Sequence, residues 1–95
     1  MYALLLVSEV ALQREDFDGA RASARRALFG IEQREDQPVL IANARMMLAR
    51  ASWHAPAQRA RARDLAEQAR RTFEQESVDT DLEAAETWLA EHPEP

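Results

Sequence analysis

Apolar residues recur at steps of three and four along most of the chain, which is the spacing of one face of an α-helix. No segment alternates between apolar and polar residues at period two, so the pattern predicts no strand. The apolar stripes and the breaks between them predict five helices. Their ranges are about 2–14, 18–34, 38–51, 56–73 and 80–92.

Residues that start helices separate these segments. Either Asp16 or Asp18 can cap the second helix, because an aspartate side chain accepts a hydrogen bond from an exposed backbone amide. Residues 36–38 (Asp-Gln-Pro) and 55–56 (Ala-Pro) place a proline in the first turn of the third and fourth helices, where its missing amide costs nothing. Residues 80–83 (Thr-Asp-Leu-Glu) match a capping box for the fifth helix.

The composition favours an all-α fold in one small domain. Nineteen of the 95 residues are alanine, the strongest helix former, and only two are glycine. A chain of this length with 46% apolar and 31% charged residues is typical of a folded soluble domain rather than of a disordered tail. All of its basic residues are arginine, which indicates a GC-rich bacterial genome.

The net charge of −5 is unevenly distributed and narrows the classes of partner. Residues 1–36 carry five basic and seven acidic side chains, and residues 37–75 carry seven basic and three acidic ones. Residues 76–95 carry seven acidic side chains and no basic one. Such an acidic excess argues against non-specific binding to nucleic acid or anionic lipid. The apolar run at 1–7 is too short to span a bilayer and has no basic leader, and cysteine is absent, so we predict a cytoplasmic protein.

A set of three alanines at steps of four and three occurs twice, 42 residues apart. The alanines are Ala20, Ala24 and Ala27 in the second helix and Ala62, Ala66 and Ala69 in the fourth. Such a stripe lets two antiparallel helices approach closely, and Phe17 can fill the mouth of the first hairpin. We therefore expect Ala24 and Ala66 to be fully buried.

Residues 15–28 (Glu-Asp-Phe-Asp-Gly-Ala-Arg-Ala-Ser-Ala-Arg-Arg-Ala-Leu) resemble the second half of a tetratricopeptide repeat, in which an acidic–aromatic turn leads into a helix with small residues at fixed steps. The resemblance implies antiparallel helical hairpins stacked as a short right-handed array. Its parts are a first repeat over 1–34, a second, longer repeat over 37–75 and a C-terminal capping helix over 80–92. The first-helix residues that it directs inward are Leu4, Val7, Ser8 and Ala11. A generic helical bundle is the alternative.

Members of this family hold a peptide in a concave groove lined by the first helices of successive repeats. Carried over to this chain, the groove residues are Leu5, Glu9, Leu12, Asn43, Met46, Arg50 and Trp53, with Tyr2, Gln13 and His54 on the same helix faces. The residues that clamp a terminal carboxylate in the best-known members are replaced by Leu5 and Glu9, so that specificity is not implied. An apolar floor with one pair of opposite charges suits an amphipathic helix or an extended peptide. The alternative is that these residues only pack against one another.

No pattern predicts catalysis, a cofactor or a metal site. The chain has no cysteine nucleophile, Gly-rich phosphate loop or G-x-S-x-G elbow. His54 falls in a turn and His92 near the end of the last helix, and neither has a second ligand at helical spacing, which argues against zinc. We therefore predict a non-catalytic protein–protein interaction module. The alternative is an oligomerisation or regulatory fragment of a larger bacterial signalling protein.

The segment Arg59–Arg71 holds five arginines against two acidic residues and is the candidate site for phosphate groups. Nucleic-acid-binding helices usually add interleaved aromatic or polar readers, which this segment lacks. We expect instead an outer helix face with the ion pairs Glu67–Arg71 and Arg70–Glu74, or one that pairs with the acidic C-terminal residues. Nucleic-acid binding through this helix is the weaker alternative.

The first helix carries more apolar residues than one interface can bury. Leu4, Leu5, Leu6 and Val7 are consecutive and point around the whole circumference. In the array, Leu6 and Val10 point outward, toward the position where a preceding repeat would stack. We therefore expect either a homodimer that buries Leu6 and Val10 or a parent protein with further helices upstream. The alternative is that the first helix is frayed and these residues are partly exposed.

Overall fold

The computed structural model describes the backbone of residues 2–33 and 36–94 and the side chains of residues 5–33 and 36–94. These residues form five α-helices and one 3₁₀ turn and contain no strand, which confirms the all-α prediction. The helices are α1 (Tyr2–Gln13), α2 (Phe17–Ile31), α3 (Pro38–Ser52), α4 (Arg59–Gln75) and α5 (Asp79–Glu91). The 3₁₀ turn, Pro56–Gln58, leads into α4.

The helices pack as two hairpins with a final helix against the second. α1 pairs with α2 and α3 pairs with α4, while α2 also packs against α3, α1 lies beside α3, and α5 packs on α4. The short connection at 14–16 makes α1 and α2 antiparallel, and the Ser8 hydroxyl donates to the Ala20 carbonyl oxygen across this hairpin at 2.8 Å. α1, α3 and α5 surround one cleft as a result.

The repeated alanines form a buried seam in each hairpin. All six are fully buried, including Ala24 and Ala66, which confirms that prediction. Ser8 is also fully buried on the α1 side of the first seam, where its short side chain allows the close approach of α2. Alanine seams bury little apolar area per residue, so larger buried side chains complete the core. They are Leu28, Ile31, Leu40, Leu48, Leu65, Phe73 and Leu89.

Helix starts follow the sequence signals in part. Asp16, rather than Asp18, caps α2, with its Oδ1 accepting from the Gly19 amide at 3.1 Å. Pro38 stands in the first turn of α3, as predicted. The capping box at 80–83 is wrong, because α5 already begins at Asp79 and Thr80 lies within it. The backbone turn before α5 makes this possible, since Ser77 adopts a left-handed conformation (φ 57°) and lets the chain reverse without a side-chain cap.

Two further expectations change in the structure. α2 ends at Ile31, which makes it shorter than the predicted range, and residue 34 itself lies outside the described residues. Val7 does not point toward α2 but is 53% exposed, because Ser8 occupies the inward position of that turn. The predictions for the side chains of Tyr2 and Leu4 fall outside the described side chains.

Candidate functional site

A cleft of about 410 Å³ opens between α1, α3 and α5. Its lining residues are Leu5, Leu40, Asn43, Met46, Met47, Arg50, Phe73, Asp81, Ala84 and Trp88. Most of the floor is apolar, and polar groups stand at its rim. Four of the predicted groove residues, Leu5, Asn43, Met46 and Arg50, therefore share one cleft.

Helical periodicity explains how α3 supplies so much of this surface. Leu40, Asn43, Met47 and Arg50 follow one another at steps of three or four, so they lie along one face of α3. On α5 the same spacing brings Asp81, Ala84 and Trp88 to the opposite wall. These α5 residues were absent from the predicted groove, although the spacing along the last helix was a signal that could have found them.

An ion pair joins the α1 and α3 walls of the cleft. Arg50 Nη1 lies 3.2 Å from Glu9 Oε2, and both side chains are partly exposed. The two predicted groove residues therefore contact each other, and Arg50 reaches the cleft with its charge balanced by a neighbouring carboxylate. A partly exposed pair of this kind adds only about 0–1 kcal/mol to stability, so its main effect is on the electrostatics of the rim.

A second, smaller cleft of about 230 Å³ continues from the first toward the C-terminal ends of α1, α3 and α5. Leu12 lines this cleft, and Arg50 and Trp88 belong to both clefts. Phe17, His54 and His92 also border it. The predicted groove thus extends over two adjoining depressions, with Leu12 in the second.

The structure places Trp53 away from both cleft linings. Its ring makes edge-to-face contacts with Trp88 at 5.7 Å and with His92 at 5.0 Å. The Arg59 guanidinium lies over the same ring at 5.0 Å, and Arg59 Nε donates to the Trp53 carbonyl oxygen at 3.0 Å. Trp53 therefore contacts Trp88 and His92, which line the clefts, without lining either cleft itself.

Both histidines lie in stacked aromatic pairs that the sequence did not predict. His54 stacks on Phe17 with ring centroids 3.5 Å apart, and His92 stacks on Trp88 at 4.2 Å. Partial burial, followed by the positive potential of His92 and Arg59, lowers the pKa of His54, and Glu15 offsets part of this effect. Phe17 and His54 are 37 positions apart, so local spacing gave no sign of their contact, whereas Trp88 and His92 are four positions apart on the last helix.

Most of the arginines of α4 bind within the fold. Arg63 Nη1 donates to the backbone oxygens of Leu89, at 3.0 Å, and of His92, at the C-terminal end of α5. Arg70 pairs with Glu67 at 3.1 Å and with Glu74 at 3.3 Å, which confirms the predicted Arg70–Glu74 pair. Within residues 5–33 and 36–94 the predicted Glu67–Arg71 ion pair does not form. The basic segment therefore meets α5 through backbone carbonyl groups rather than through the acidic side chains.

Two exposed apolar regions lie outside the clefts. On α1, Leu6 is 67% exposed and Val10 is 44% exposed, which confirms their predicted outward orientation. On α2, Phe29 is 73% exposed and borders a depression that also touches α3 and α4. Phe29 thus lies on a different side of the molecule from the clefts.

Comparisons with known proteins gave no match from which a function could be inferred, so the proposal below is based on the geometry of the clefts. No protein-family model, curated protein or solved structure is significantly similar to the chain. The helices in the described ranges are all too short or too polar to cross a bilayer. Across the same part of the chain, no three metal-ligating side chains cluster together.

Proposed function

We propose that the protein is a non-catalytic, tetratricopeptide-like module that holds a peptide or helix of a partner protein between α1, α3 and α5. The observation that carries the proposal is the 410 Å³ cleft, whose apolar floor is open to solvent. Leu5, Met46 and Trp88 offer apolar contacts from three different helices. Methionine adapts its shape to irregular apolar surfaces, which suits a peptide-binding floor.

The helix arrangement supports the resemblance to tetratricopeptide repeats. Each hairpin has a buried alanine seam, and the first helices of the two hairpins, α1 and α3, lie side by side. The exposed amide of Asn43 stands in the cleft, where it can bond to the backbone of an extended or helical peptide. A cysteine-free chain fits action in the reducing cytoplasm.

Selection from a phage-displayed library of random peptides tests this function. We expect enriched peptides to bind the wild-type protein and to lose about tenfold or more in affinity to Asn43→Trp, because the indole would fill the cleft. Asn43 is exposed, so this change leaves the core intact. Arg50→Glu and Met46→Asp should weaken the same peptides.

Ala22→Trp, at an exposed position on α2, is the matched control and should bind as the wild type does. Helicity by circular dichroism should be unchanged in every variant used. Peptides that bind all three cleft variants as tightly as the control would rule out the cleft as the binding site. So would the absence of any enriched peptide.

The exposed face of α1 supports a second candidate function, self-association. Leu6, Val7 and Val10 form an apolar surface without a charged member, and an acidic chain can meet its own copy there with little repulsion. Sedimentation at low micromolar concentration should show a dimer that Leu6→Glu dissociates while helicity is retained. A wild-type monomer under those conditions would contradict this candidate and leave the cleft proposal in place.

A further inference from the structure

The acidic residues of α5 are placed unequally with respect to the cleft. Asp81 lines the cleft itself. Glu83 and Glu91 border a shallow depression along the same helix, and this depression shares Ala84 and Trp88 with the cleft. The cleft and the depression therefore meet at Ala84 and Trp88, and we call the three carboxylates of α5 that border one or the other the acidic wall.

No basic group of the lining balances this wall. Arg50 is the one basic residue among the described side chains that line the cleft and the depression, and Glu9 already pairs with it. Within residues 5–33 and 36–94, none of Asp81, Glu83 and Glu91 takes part in an ion pair. The surface therefore has an apolar centre and an uncompensated negative edge on one side.

We infer that the partner segment held in the cleft is a basic amphipathic peptide, with apolar residues on one side and Lys or Arg on the other. This inference rests on the proposed function and names the chemistry of its ligand. The apolar side covers Leu5, Met46 and Trp88, and the basic side faces the carboxylates of α5. Complementary charges at a solvent-exposed edge favour encounter and orientation more than they add affinity, so binding should weaken as salt screens them.

Three synthetic, fluorescently labelled peptides test the inference by anisotropy. The first has leucines at steps of three and four and lysines elsewhere, the second replaces every lysine by glutamate, and the third shuffles the first. We expect the leucine–lysine peptide to bind at least about tenfold more tightly than either of the others, and salt to reduce that preference.

A triple variant, Asp81→Asn with Glu83→Gln and Glu91→Gln, removes the acidic wall without changing side-chain size. It should weaken the leucine–lysine peptide about tenfold and abolish the preference over the leucine–glutamate peptide. The matched control neutralises the same residue types at exposed positions outside both depressions, with Glu32→Gln, Asp64→Asn and Glu76→Gln. Because it changes the net charge equally, it separates a local wall from a general charge effect.

The outcomes distinguish the two levels of the proposal. Equal affinity for the lysine and glutamate peptides, with both blocked by Asn43→Trp, would overturn the basic ligand and leave the cleft as a binding site. Equal weakening by the two triple variants would also overturn it, in favour of net charge. If no designed peptide binds, the inference is wrong, and the library selection remains the separate test of the cleft.

Discussion

The two hairpins have the same kind of internal seam but different surroundings. In each, three alanines are fully buried where the paired helices meet. The α3–α4 hairpin has α2 on one side and α5 on the other, whereas the α1–α2 hairpin packs mainly against α3. On α3, buried residues accordingly occur on several faces, while Ser8 is the one fully buried side chain described on α1.

This difference shows that the burial of an apolar residue depends on which helices pack beside it, and not only on its position in the apolar pattern of its own helix. Leu48 on α3 and Leu6 on α1 are both leucines, and α1 is the more apolar of the two helices. Leu48 lies between α2 and α4 and is buried, whereas Leu6 has no described helix beside it. Stability should therefore depend more strongly on the second hairpin.

The largest expected effect compares these two leucines directly. Leu48→Ala should lower the free energy of unfolding by about 2–5 kcal/mol, because it leaves a cavity in the core. Leu6→Ala should cost less than about 0.5 kcal/mol in the monomer. Urea denaturation followed by circular dichroism, at a concentration where sedimentation shows a monomer, measures both. Equal losses would mean that another chain or segment buries Leu6.

The alanine seams give the next largest effect. Ala24→Leu and Ala66→Leu should each cost about 1–3 kcal/mol and lower Tm by several degrees, because a larger side chain forces the paired helices apart. We expect the greater loss at Ala66, whose hairpin is enclosed on both sides. Ala22→Leu and Ala60→Leu, at exposed positions of the same two helices, are the controls. An unchanged Tm for both seam variants would contradict close packing at the alanines.

The α5 contact of the second hairpin depends on Arg63. Arg63→Met keeps the length of the side chain but removes the hydrogen bonds to the C-terminal carbonyl groups of α5, at a cost of about 1–2 kcal/mol. Arg61→Met, on the exposed side of α4, should change stability little. Thermal unfolding measures the loss, and a red shift of tryptophan fluorescence should accompany it as Trp88 loses cover. Identical behaviour of the two variants would exclude this role for Arg63.

The smallest effect concerns pH. Because the pKa of His54 is lowered from its ordinary value of 6.5, the folded state binds a proton less readily than the unfolded chain does. The contribution of His54 to stability is complete above pH 6.5 and is lost as the pH falls through its folded-state pKa. Tm should therefore fall more steeply below that pH in the wild type than in His54→Asn. Parallel curves would show that other groups cause the acid sensitivity.

The sequence predicted the features that depend on local spacing. Helix number, the buried alanines and the outward direction of Leu6 all follow from periodicity. Short-range hydrogen bonding limited the cap of α2 to Asp16 or Asp18, and the structure has Asp16. The predicted inward orientation of Val7 was wrong because this residue lies near the border between two faces of α1, and the small Ser8 occupies the inward position.

The features that depend on contacts between distant segments were not predictable in the same way. The meeting of Phe17 with His54, and of Trp53 with Trp88, requires two turns and the end of α5 to come together. Leu5, Asn43, Met46 and Arg50 were placed in one groove through the family resemblance. The sequence did not predict that Asp81, Ala84 and Trp88 line the cleft, because the resemblance assigned the last helix only a capping role.

Because α5 forms one side of the cleft, binding of a peptide there should affect how often this helix detaches from α4. α5 packs mainly on α4, yet it supplies Asp81, Ala84 and Trp88 to the cleft. Helices with few neighbours open more often than the rest of a fold, and such opening is measured by amide hydrogen exchange. A bound peptide would hold α5 closed, so exchange should slow more in α5 than in α2, which lies outside the cleft. The same helix would then set both the lifetime of the complex and the first step of unfolding.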